Sequence, residues 1–80
     1  MARVGDMVKY IKRTKYRLVH MPDNHMIGIV SAVGIPWSGR LEELKYHGGD
    51  IRKSRIYEVW WIELERACAV PERNLEKISQ

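Results

Sequence analysis

The chain lacks most of the devices that small proteins use to hold themselves together. Of its 80 residues one is a cysteine, Cys68. An intrachain disulfide is excluded, and so is a paired-cysteine metal clip. No apolar run approaches the roughly 18 residues that a membrane-spanning helix requires. The opening stretch, MARVGDMVKY, carries polar residues where a secretory leader would have its apolar segment. Internal repeats and low-complexity segments are missing as well. The chain therefore reads as one soluble cytoplasmic domain with no membrane partner. A domain of this size buries only about 60% of its unfolded surface. Without staples such domains often lean on self-association, so a homo-oligomer is expected.

What is present is an ordinary globular composition, 45% apolar, with a net charge of +4. The charge is local. Residues 1–20 hold Arg3, Lys9, Lys12, Arg13, Lys15 and Arg17 against Asp6 alone, whereas acids slightly outnumber bases in the rest. A patch of this kind can attract phosphate, acidic protein or an anionic membrane surface.

The punctuation predicts short strands. VGDMVKYI (4–11) opens on a Gly-Asp turn pair and continues with β-favouring residues. Alternation carried on to residue 18 places Lys9, Ile11, Arg13, Lys15 and Arg17 on one face. Tyr10, Lys12, Thr14, Tyr16 and Leu18 take the other, so both tyrosines are expected to point inward. MPDN (21–24) reads as a turn. HMIGIVSAV (25–33) reads as a strand, with a bulge or sharp bend at Gly28. Residues 34–39 are loop, and RLEELKYH (40–47) fits either a turn or two of helix or part of a long hairpin. HGGDIRKSR (47–55) reads as a flexible basic connection. IYEVWWIEL (56–64) is the central strand, apolar on both faces, with a short turn after it at Glu65-Arg66. ACAV (67–70), a one-turn 3₁₀ segment started by Pro71, and LEKIS (75–79) complete the chain. Five short strands with few helix signals predict an all-β fold, a small barrel of strongly bent antiparallel strands with a long insertion before the tryptophan-rich strand.

The segments VGDMVKY, GIVSAV, YEVWW and VPERNLEKI resemble the SH3-like barrel proteins common in tailed-phage genomes. Gly5, Asp6, Val8, Gly28, Ile29, Val30, Val59, Trp60, Val70, Pro71, Leu75 and Ile78 carry the resemblance, over about half the chain. It implies a fold more than a function, since these are turn and core positions. Ribosomal-type nucleic-acid-binding barrels and Sm-like barrels share the general form.

Chemistry is thinly represented. His20 and His25 flank the MPDN turn, but two imidazoles need further ligands to hold zinc, and no metal or other cofactor is expected. Cys68, in an apolar strand, reads as a buried structural residue with nothing nearby to lower its pKa. Glu42 and Glu43 are adjacent, diverge on any regular element, and form no dyad. The chain reads as non-enzymatic. Two binding surfaces remain. Trp37 lies in a loop, and Trp60 and Trp61 are neighbours that must point to opposite faces of a strand. One of that pair enters the core. The other must be covered by the insertion, a subunit or a ligand, which makes Trp37, Trp60 and Trp61 candidates for a protein interface. Lys9, Arg13, Lys15 and Arg17, joined by Arg52, Lys53 and Arg55, are the candidates for a nucleic-acid surface. Their expected separation from the tyrosines favours salt-sensitive phosphate contact without stacking.

Overall fold

The computed structural model describes residues 2–37, 39–48 and 54–78. Its elements are β1 (Met7–Tyr10), β2 (Ile27–Val33), α1 (Leu41–Tyr46), β3 (Ile56–Trp61), β4 (Arg66–Pro71), a 3₁₀ turn (Glu72–Asn74) and β5 (Leu75–Lys77). The five strands form one antiparallel sheet in the order β4-β3-β2-β1-β5. The all-β expectation holds. The insertion settles in part as helix rather than hairpin.

The sheet is rolled. β4 and β5 are its two edges, yet only Glu72, Arg73 and Asn74 separate them in the chain. In a flat sheet four strand spacings, roughly 19 Å, would lie between those edges. Three 3₁₀ residues advance only about 6 Å. The sheet therefore curls enough to bring the end of β4 close to the start of β5, and its concave side covers one core. Among the described residues no ladder joins β4 to β5, so the hydrogen-bonded closure of a complete barrel is not seen.

Period-2 alternation fills that core. Val8 and Tyr10 from β1, Val30 from β2, Tyr57, Val59 and Trp61 from β3 and Cys68 and Val70 from β4 are all buried. Gly28 also faces inward. A Cβ there would lie 2.5 Å from Val59 Cγ1, 2.7 Å from Trp61 Cε3 and 2.8 Å from the Trp60 carbonyl. The glycine admits Trp61 to the core; it does not mark a bulge. The bulge comes later, where the register between β2 and β3 shifts between Val30 and Ala32.

The basic stretch departs most from expectation. β1 ends at Tyr10, and residues 11–26 leave the sheet. The Ile11 amide donates to the Asn74 carbonyl (2.7 Å) and the Lys12 amide to Asn24 Oδ1 (3.0 Å), replacing a ladder partner. Thr14 Oγ1 donates to the Tyr46 carbonyl at the end of α1. The turn closes at Asp23–Met26, where His25 takes a left-handed φ of 66°, while Met21 and Pro22 are buried. The second turn is likewise displaced, spanning Ile62–Glu65 with Glu65 at φ 53°, and Arg66 already belongs to β4.

Six residues of helix are too few to be stable alone. α1 has no side-chain cap at Arg40, and what fixes it is packing. Tyr46 and His47 at its C-terminal end are buried against Tyr10, and Gly48 turns the chain away with a φ of 100°.

Candidate functional site

The outer face of the sheet is where the alternation leaves apolar residues in water. Met7 lies opposite Ile29, Ile29 opposite Trp60, and Trp60 opposite Ala67. The Ile78 amide donates to the Met7 carbonyl (3.0 Å), which extends the row to the far edge. Strands sit about 4.8 Å apart, so this apolar row crosses the sheet over roughly 19 Å. Trp60 is 43% exposed, Ile62 47% and Ile29 38%. Ile62 follows Trp60 on the same side, and its amide reaches the Ile27 carbonyl at 3.2 Å.

Charges rim the row. Lys9 pairs with Glu76 at 3.0 Å on one flank, and on the other Ser31 Oγ donates to Glu58 Oε1 at 2.7 Å. Apolar centre, polar rim and a half-exposed tryptophan make a surface suited to burying another sheet or an extended segment. The expected divergence of Trp60 and Trp61 is observed: Trp61 is fully buried and Trp60 faces out. The described part of the insertion does not cover Trp60, because it packs on the concave side instead. Trp37 sets its ring edge-on to His47, 5.8 Å between centroids, and is half-buried there. It belongs to the docking of the insertion rather than to the outer face.

The basic residues do not form one row. Lys9 is on the outer sheet face, paired with Glu76. Arg13 donates through Nε (2.9 Å) and Nη2 (2.6 Å) to the Arg73 carbonyl, and Arg73 in turn donates to the His47 carbonyl (3.2 Å). Its guanidinium thus has a structural use. Lys15 and Arg17 are exposed in the irregular segment, and Arg55 is exposed before β3. Arg52 and Lys53 lie outside the described residues. Tyr16 is not inward: it is 42% exposed between Lys15 and Arg17, because a strand period does not govern this segment. Nearby, the Lys12 ammonium sits 5.2 Å from the Tyr46 ring centroid, and Lys12, Arg17, Leu18, Met21 and Tyr46 line an open cleft.

One buried polar cluster escaped the sequence reading. His47, where the sequence predicts the end of a helical turn or hairpin and the start of a flexible connection, is wholly buried. Asn74 Nδ2 lies 3.5 Å from Tyr10 Oη, which lies 2.8 Å from His47 Nδ1. Which of Tyr10 Oη and His47 Nδ1 donates follows from the imidazole tautomer. Burial depresses the His47 pKa to about 4, against an upward pull from the Ala69 backbone and with a smaller push down from the Arg73 charge. Burial likewise raises the Tyr10 hydroxyl well above its usual range. The cluster ties β1, the 3₁₀ turn and the insertion together. The only signal for it in the sequence was Tyr46-His47, an aromatic pair next to two glycines.

Cys68 is buried on the concave side, and burial raises its pKa, the opposite of what a nucleophile needs. His20 and His25 are both exposed, and among the described residues no group of three His, Cys, Asp or Glu could hold a metal ion. No described helix is long and apolar enough to cross a membrane. Comparison of the chain with protein-family models, with curated proteins and with solved structures found no match.

Proposed function

We propose that this chain is a small non-enzymatic β module of the SH3-like kind, of phage or viral origin, that docks protein on the outer face of its sheet. The rolled sheet supports the barrel part, with its edges one 3₁₀ turn apart. The origin rests on the motif resemblance alone. The observation that carries the binding role is the cross-strand row through Ile29 and Trp60, apolar and exposed at the centre of the sheet. Isolated exposed hydrophobes are ordinary, but a contiguous row rimmed by charge marks an interaction surface.

One observation favours a second reading, a nucleic-acid surface. Tyr16 stands exposed between Lys15 and Arg17, an arrangement that stacks a base and contacts phosphate together. A photoreactive residue placed at Ile29 or at Arg17, in chain expressed in cells, separates the two. Protein adducts from position 29 that survive nuclease, and none from 17, are expected. Nuclease-sensitive adducts from 17 alone would reverse the order of the readings.

A further inference from the structure

Resting on the reading of the outer face as a docking surface, we propose that its occupant is a second copy of this chain, related by a two-fold axis passing over Ile29. The charge pattern around that residue carries the proposal. Ile29 lies between Met7 on β1 and Trp60 on β3. Lys9 sits one strand to one side and two residues along. Glu58 sits one strand to the other side and two residues along in the opposite sense. Lys9 and Glu58 are therefore diagonal neighbours of Ile29, on opposite sides of it.

A two-fold axis parallel to the packed faces and at right angles to that diagonal brings Lys9 of each copy to Glu58 of the other. The pairing occurs twice, because a two-fold contact is isologous. The same operation lays Trp60 on the strip between Ile27 and Ile29. Sheets packed face to face lie about 10 Å apart, with side chains from both faces interleaved. The size is also right. Trp60, Ile62, Ile29 and Met7, each 38–47% exposed, offer on the order of a few hundred Å² of apolar surface. That is enough for the apolar heart of a standard interface of roughly 800 Å² per partner. Lys9 and Glu58 already hold Glu76 and Ser31 within the chain, so both are positioned at the rim before the copies meet.

Sedimentation equilibrium of the full chain tests this. The wild type should show a monomer–dimer equilibrium. Lys9→Glu and Glu58→Lys should each weaken it at least about tenfold, since each sets like charges opposite one another twice. Mixed in equal amounts, the two variants should regain wild-type association as a heterodimer, which also shows that both are folded. Glu76→Gln should leave the dimer intact. A mixture that associates no better than either variant overturns the two-fold arrangement. A wild type that stays monomeric at millimolar concentration overturns the second-copy inference and leaves the face to a different protein. A dimer indifferent to both reversals and to Trp60→Ser overturns the inference and the reading of the face together.

Discussion

His47 is a histidine that folding keeps neutral. Its ring is buried and hydrogen-bonded to the Tyr10 hydroxyl, and burial holds its pKa at about 4 against 6.5 in the open chain. Between those values the unfolded chain binds a proton that the folded chain refuses. Stability is therefore complete above pH about 6.5, falls as pH drops toward 4, and loses no more to this group below that. The full effect is about 3 kcal/mol, a large share of what a small domain has. Asp6 titrates below this window, because the Arg3 amide on its carboxylate and nearby Lys77 lower its pKa. Urea unfolding of the wild type should thus show a midpoint that drops between pH 7 and pH 4.5. In His47→Gln, whose amide can still hydrogen-bond Tyr10, that drop should be much smaller; an equal drop in both would assign the acid sensitivity to other groups. None of this was legible beforehand. His47 sits in a run of glycines and charges that reads as a loop, and only tertiary packing brings Tyr10, 37 residues away, onto its ring.

At the scale of elements, the strands were readable because each is short and set off by turn residues, most clearly the β-branched β2 and the apolar β3, and the 3₁₀ turn because Pro71 fixes its start. The end of β1 was not. Residues 11–17 could continue the strand by residue type, but the Ile11 amide bonds the Asn74 carbonyl and the Lys12 amide the Asn24 side chain, not a neighbouring strand. Extending the period past Tyr10 therefore gave Tyr16 the wrong side and gave Arg13 and Lys15 one shared role. Their roles differ. Arg13 fastens the irregular segment to the 3₁₀ turn through two hydrogen bonds on one carbonyl, while Lys15 is exposed. Arg13→Ala should cost about 1 kcal/mol in chemical unfolding, the scale of a charged hydrogen bond partly open to solvent. Lys15→Ala should stay within about 0.5 kcal/mol. Equal effects would mean that the Arg13 contact adds nothing. The Gly28 position teaches a similar lesson: glycine within a strand signalled a special backbone site, but only the packed Trp61 ring shows it to be a close approach.

At the scale of the whole molecule, the fold resolves a conflict that the sequence posed. Trp60 and Trp61 cannot both be inside, and the rolled sheet has one concave side to give. Trp61 takes it, over Gly28. The described part of the insertion, which could have shielded Trp60, is held on the concave side by Tyr46, His47 and Trp37. The convex side keeps its apolar row for something else, and that is the claim on which the functional reading turns. Amide and indole NMR shifts followed over a concentration series of the chain test it most directly. The account predicts that the Trp60 indole and the amides of Ile27, Ile29 and Ala67 move together, while the Trp61 indole, buried beneath them, stays still. Shifts confined to Lys15, Tyr16 and Arg17 would contradict it, whereas none at any concentration would contradict only the occupation of this face by a second copy.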